Sequence, residues 1–491
     1  MNVSPAHERI LFGLKVRQYR TGRGLSFSEL SELSGLSVSY LNEIEKGKKY
    51  PKPEKTKALA KALKVPVREL TSPEVEGNLA PVADLLRSNF LEELPLEFFG
   101  IEPGKVVELI AQAPKKVGAF VSTLVDLSRN YSLREENFFF GALRAYLEMH
   151  HNYFEELEEA ADRFRDTHGA LPVGASAVVT FLRKLLEEKF SYQIVQDGLA
   201  GYPELQNLRA VFLPRSRRLL LQGGLSEVQR AFQFGKELGF QYMGLSDRAQ
   251  TSSLLRVHSF EEVLNHFKAS YFSAALLINR RSFVEDLRQF LEAKKWDEAL
   301  MREWFVKYTA SPETVIQRMS NLLPSAFGIR KLFVWRFVHT PETGSVRMDR
   351  ELNLVRDRLA SRHSVQEHFC SRWSAIGLLE KVNGQHTILA AVQRAKIMDT
   401  GDTYLCFTMA RPSLPVVDHK VSITLGLLID EDLSKKIQFL HDPDIEDRLV
   451  NHTCERCSLD DCRERTAPPS HYLARERNQQ VREAIRKLDA E

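Results

Sequence analysis

Three of the five cysteines fall within nine residues near the C-terminus, Cys454, Cys457 and Cys462, in the spacing C-x2-C-x4-C. Thiolates ligate zinc and iron–sulfur clusters, and a short polar loop lets neighbouring sulfurs turn toward one centre. The loop lacks a fourth ligand. Cys370, in His368-Phe369-Cys370-Ser371-Arg372-Trp373, is the candidate, with His452 behind it. Cys406 lies inside a strand pattern and reads as core. The expectation is a metal or cluster centre at Cys370, Cys454, Cys457 and Cys462, and the spacing fits zinc and iron–sulfur alike.

A second chemical constellation lies near the N-terminus. Between residues 8 and 70 there are 14 Lys and Arg against 7 Asp and Glu, while the whole chain of 491 residues carries a net charge of only +3. One short segment therefore holds the positive charge, as a phosphate backbone requires. Within it Ser37 can cap a helix in which Leu41 and Ile44 face inward. Val38, Ser39, Asn42 and Glu43 then face outward as candidate base readers. Tyr40, Lys46, Lys48 and Lys49 are candidate phosphate contacts.

The elements that position these groups follow from apolar spacing and turn residues. A first helix is expected from about Glu8 to Thr21, ended by Gly22-Arg23-Gly24. Ser26 and Glu29 make a capping box for a short second helix ending near Ser34-Gly35. A third runs to about Lys46 and a fourth from Pro53 to Leu63. Gly35-Leu36-Ser37 and Tyr40 to Gly47 resemble the most diagnostic stretch of the Cro and phage-repressor (XRE) helix-turn-helix family. The resemblance implies a third helix in the major groove. It also implies an internal ion pair between Arg20 and Glu45. Members of that family commonly have Gln where Phe27 stands, so a DNA contact from that position does not carry over.

Beyond residue 71 the chain reads as mainly α with an α+β C-terminal part. A helix-turn-helix domain (8–71) precedes a helical region (75–165), a mixed segment (166–325), an α+β sensor-like domain (326–470) and a charged helical tail (471–491). In the helical region, Asn152 to Ala160 holds four glutamates that read as a solvated face. In the mixed segment, Glu227 to Phe240 resembles the active-site helix of ImmA/IrrE-type zinc peptidases, whose HExxH sets two imidazoles one turn apart. Here Lys236 and Phe240 occupy the histidine positions and only Glu237 remains. An ammonium and a phenyl ring cannot hold zinc, so a scaffold without peptidase activity is expected.

The order of segments, with Tyr40–Glu45, Asn152–Ala160, Cys370–Trp373 and Cys454–Pro469 as anchors, resembles the short-chain fatty acyl transcriptional regulators of bacteria. That resemblance implies response to a short-chain acyl-CoA or related metabolite, and an iron–sulfur cluster as one possible identity for the cysteine centre. The expected partners are a double-stranded operator, bound as a homodimer because one such domain covers a short half-site, and an acyl-CoA-type effector. No apolar run reaches the roughly 18 residues of a membrane span, and a cytoplasmic protein is expected. The alternatives are a redox- or metal-sensing regulator and a DNA-tethered metallopeptidase.

Overall fold

The computed structural model describes residues 5–72, 135–251, 257–341, 343–355, 367–383, 388–413 and 419–489. The expected helices of residues 75–165 fall partly outside this range. The architecture is mixed, with a helical N-terminal region and a sheet-containing C-terminal one. The chain divides into two compact units, Met1–Tyr146 with His258–Phe260 and Leu147–Val257 with Glu261–Glu491.

In the first unit five helices form a bundle: α1 (Pro5–Gly22), α2 (Phe27–Ser34), α3 (Val38–Glu45), α4 (Pro53–Ala62) and α5 (Val67–Thr71). Phe12, Val16, Leu30, Leu41, Ile44, Leu59 and Leu63 make its core. Both arms of the Ser26–Glu29 capping box are present. Gly35 ends α2 at φ +72°, a left-handed conformation that glycine adopts without steric cost. Gly13 serves a different purpose. A Cβ there would sit 2.2 Å from the Ile44 carbonyl, so its absence lets α1 and α3 touch. The helix α6 (Glu135–Met149) follows.

The second unit begins with α7 (Glu155–His168) and α8 (Ala175–Phe190). Three short strands, β1 (Gln193–Val195), β2 (Ala210–Leu213) and β3 (Arg218–Leu221), form a sheet in the order β1-β3-β2. Then come α9 (Glu227–Tyr242), α10 (Phe260–Leu277), α11 (Arg280–Glu292), α12 (Glu298–Lys307) and α13 (Pro312–Ala326). The expected helix at Glu227 is present, started by a Ser226–Gln229 capping box.

A six-stranded sheet completes the unit in the order β5-β4-β8-β7-β6-β9. Its strands are β4 (Leu332–Thr340), β5 (Ser345–Asn353), β6 (Leu389–Ile397), β7 (Thr403–Pro412), β8 (Lys420–Leu428) and β9 (Glu446–Val450). Only β6 and β9 pair parallel. The helix α14 (Ser374–Lys381) covers one face over Phe333, Trp335 and Trp373, while α13 packs on β4 and β8. The short α15 (Glu431–Lys436) and the long α16 (Ser470–Leu488) complete the helices, and α16 buries no residue, as its charged pattern implies.

The solvated face expected at Asn152–Ala160 holds for Glu155, Glu156 and Glu159, which are exposed, and needs correction at Glu158. The helix starts only at Glu155, and Glu158 is fully buried. Glu158 lies between Leu157 and Ala161, on the stripe that also buries Phe164. Its cation, Arg318, comes from α13, 160 residues further along. Asn152 is buried too, donating to Ser320 Oγ at 3.0 Å and accepting from Asn321 on its carbonyl at 2.7 Å.

Candidate DNA interface and buried polar sites

The third helix is held by both its ends and its flank. Ser37 Oγ accepts from the Tyr40 amide at 3.3 Å, capping the N-terminus. Arg20 donates to both oxygens of Glu45, at 2.6 and 2.9 Å, and to the Leu25 carbonyl at 2.9 Å. This is the expected pair between the first and third helices, and it raises the Arg20 pKa. The Phe27 ring lies 4.1 Å from the same guanidinium. Phe27 thus serves the bundle, stacking on an internal cation.

Around this frame the candidate contacts divide by exposure. Val38 and Ser39 are exposed, Asn42 and Glu43 half-buried, and Lys46, Lys48 and Lys49 exposed. Glu43 is already engaged by Lys49 Nζ at 2.7 Å, and this bond raises the lysine's pKa. Tyr40 is half-buried and carries two cations on its ring, Lys55 at 4.1 Å and Lys49 at 5.8 Å. Lys55, from the first turn of α4, is a cation of this surface that the sequence pattern did not single out. Its signal was the density of lysines after Pro51 rather than any motif.

The comparisons bear on this unit first. A helix-turn-helix family model matches residues 16–70. Over 60 residues, 12% of this chain, the sequence is 42% identical to the Bacillus subtilis uncharacterized HTH-type transcriptional regulator RghRB, covering 43% of that protein. Over nearly the whole length it is 24% identical to the Mycobacterium tuberculosis HTH-type transcriptional regulator RamB, covering 93% of this chain and 94% of the relative. It is also 24% identical to PrpR, an HTH-type transcriptional regulator of the same organism, over 68% of each chain. These matches support a DNA-binding transcriptional regulator with an XRE-type helix-turn-helix. Among the described residues no helix is long and apolar enough to cross a membrane.

In the second unit Glu237 is paired internally. Arg248 donates to both its oxygens at 2.7 and 2.8 Å, and Tyr192 donates to Oε2 at 2.9 Å. The Arg248 guanidinium is layered between Phe240, at 3.8 Å, and Phe212, at 4.4 Å. Lys236 Nζ donates to His266 Nδ1 at 3.0 Å, and the same ring meets the Ala249 carbonyl through Nε2 at 3.2 Å. That pattern assigns a neutral imidazole with its proton on Nε2. Burial, reinforced by Lys236, pushes the His266 pKa down to about 3, and burial pushes Lys236 down to about 8. Sequence reasoning missed His266 and Arg248, because their partnership with α9 is tertiary.

The cysteines are placed as follows. Cys370, Cys454 and Cys457 are buried, Cys462 is partly exposed, and Cys406 is core. Phe369 bridges to Thr453, and the Cys454 and Cys370 amides donate to the His368 and His452 carbonyls, at 2.9 and 3.2 Å. Glu367 anchors the same loop through Arg456 and Thr453. Burial raises the Cys370 pKa, and Cys454 and Cys457 are near enough to raise it further. Cys454 Sγ lies 3.5 Å from Thr466 Oγ1, and Cys457 Sγ lies 3.9 Å from Met398 Sδ. Among the described residues no group of three or more His, Cys, Asp or Glu side chains could hold a metal ion. As placed, the four thiols do not form a metal-holding set.

Proposed function

We propose that this chain is a cytoplasmic regulator that reads an operator as a homodimer and responds to a short-chain acyl-CoA or related metabolite through its second unit. The observation that carries the DNA reading is the exposed N-terminal half of α3, held rigidly by the Ser37 cap and the Arg20–Glu45 pair. A rigid helix with free outward side chains is what major-groove recognition needs. The effector part is supported by the segment order and its anchor motifs. A ligand acts here only if it binds the two DNA-binding states unequally.

The full chain should shift a fragment selected by genome-wide binding, and acetyl-CoA or propionyl-CoA should change that affinity. A chain that bound no fragment specifically would overturn the DNA reading. Binding unchanged by any short-chain acyl-CoA would overturn the effector.

Peptidase chemistry has no place in this proposal. Arg248 neutralises Glu237 where a peptidase would hold metal-bound water, and Lys236 and Phe240 stand at the ligand positions. Incubation of the full chain with unstructured protein should give no cleavage dependent on Glu237.

A second reading, redox or metal sensing, is favoured by the proximity of Cys370 to Cys454 and Cys457. It includes the zinc or iron–sulfur centre at Cys370, Cys454, Cys457 and Cys462, for which the thiols would have to draw closer together. Metal analysis of anaerobically purified protein tests it: stoichiometric zinc or iron lost in Cys454→Ser supports it, and metal-free active protein removes it.

A further inference from the structure

At the carboxyl ends of two parallel strands the second unit holds a small polar cavity. β1 and β3 run parallel, from Gln193 against Arg218 to Val195 against Leu220, so the chain leaves both at one edge of the sheet. Gln196 and Asp197 follow β1 directly, Gln222 follows β3, and Arg230 comes from the start of α9. With Leu221, Gly224 and Leu225 they line a cavity of about 180 Å³. Leu221 and Leu225 are buried, while Gln196, Asp197 and Gly224 are exposed, so the cavity opens to solvent on their side. The carboxyl ends of parallel strands are where α/β sheets take their ligands.

The polar groups of this cavity are unpaired. Gln222 Oε1 and Arg230 Nε are buried and have no hydrogen-bond partner among the described residues. Buried polar atoms are nearly always bonded, so an acceptor and a donor left over at one cavity point to a partner from outside. Asp197 and Arg230 carry opposite charges and line the same cavity, yet they form no ion pair with each other or with another described residue. The backbone fixes that separation. Asp197 has φ +56° and Gly224 φ +76°, in the left-handed region that aspartate and glycine tolerate best. Gly223 gives the carboxylate its room, since a Cβ there would lie 2.6 Å from Asp197 Oδ1.

We propose that this cavity binds a small zwitterion carrying a carboxylate and an ammonium group, as an α-amino acid does. The ligand's carboxylate accepts from Arg230, whose guanidinium offers paired N–H donors. Its ammonium has three N–H donors, for which Asp197 and Gln222 Oε1 are the acceptors. A simple carboxylic acid would leave those acceptors unpaired, and a simple amine would leave Arg230 so. Volume selects as well. Pockets for larger ligands run to roughly 300–1,000 Å³, so this one admits a few heavy atoms and cannot enclose coenzyme A. The inference therefore stands apart from the acyl-CoA reading.

Calorimetry on the full chain tests it, with glycine, alanine, serine and glutamate as zwitterionic probes and acetate and methylammonium as single-charge probes. At least one zwitterion should bind, roughly tenfold or more tighter than either single-charge probe. Arg230→Gln and Asp197→Asn should each weaken it by roughly tenfold or more, whereas Arg477→Gln on α16 leaves it unchanged. Without ligand neither variant should melt lower than the parent chain. Neither side chain holds a described partner, and asparagine keeps the left-handed turn. Absence of binding by all four zwitterions, or affinity unchanged in both Arg230→Gln and Asp197→Asn, would overturn the site. Acetate binding as tightly as every zwitterion would overturn the role of Asp197 and with it the ligand class.

Discussion

Glu158 and Arg318 face each other across α7 and α13 with both side chains wholly out of solvent, joined by hydrogen bonds of 2.6 and 3.1 Å. Tyr271 donates a third bond to Glu158 Oε1 at 2.7 Å. Removing one member of such a pair strands a charge in the interior, at a cost of about 3–5 kcal/mol. Glu158→Ala should therefore lower the unfolding free energy by about that amount in chemical denaturation. The double change Glu158→Leu, Arg318→Met should recover much of the loss, because two apolar groups leave no charge unpaired. A double variant as unstable as Glu158→Ala would show that packing, not charge, sets the penalty.

That pair also marks the limit of what periodicity reveals. The bundle at residues 5–72 was legible because its signals are local: a capping box at Ser26, a left-handed glycine at 35, a cap at Ser37. The Arg20–Glu45 pair was legible only through family position. The apolar runs of β4, β7 and β8 are likewise local signals, legible as strands in the sequence. Glu158, His266 and Arg248 were hidden, since each takes its meaning from a partner on a distant element. A glutamate run looks the same whether its faces meet water or a buried guanidinium.

Gly13 should tolerate no side chain. Its missing Cβ lets α1 approach within 2.2 Å of where that carbon would meet the Ile44 carbonyl, with the Glu45 carbonyl at 3.0 Å. The obstacle is backbone, so it cannot rotate away. Gly13→Ala should separate α1 from α3 and destabilise the unit by about 1–3 kcal/mol, the usual range for overpacking. Thermal melts followed by helical circular dichroism would register the loss, and an unchanged melt would show that the helices can part freely.

The Lys236–His266 contact sets a pH dependence. In the unfolded chain Lys236 holds its proton to about pH 10.5, but in the fold only to about 8. Below pH 8 both states are protonated and the fold bears the whole cost, about 3 kcal/mol from the size of the shift. Between pH 8 and 10.5 the unfolded state binds the extra proton, so this contribution makes stability rise with pH. His266 behaves similarly in acid: its folded pKa of about 3 lies below its ordinary 6.5, so stability falls as pH drops through that interval. Lys236→Met should flatten the alkaline rise and His266→Asn the acid fall, read as denaturation midpoints across pH. Profiles parallel to that of the parent chain would mean these groups titrate normally.

The division of labour on α3 can be separated by salt and by sequence. Ser39 is exposed on α3; if it reads base edges as proposed, Ser39→Ala should change which operators bind best. Glu43 must surrender Lys49 to reach a base, since the two are joined at 2.7 Å. Glu43→Gln should therefore alter specificity and also release Lys49 toward phosphate, steepening the dependence of affinity on salt. Lys48 has no such tie among the described contacts, and Lys48→Ala should weaken all operators about equally while reducing the salt slope by about 1. Titrations of matched and mutated operators at several salt concentrations measure both quantities together. Equal losses on every operator from Ser39→Ala and Lys48→Ala, with the same salt slope, would mean α3 contacts only the backbone.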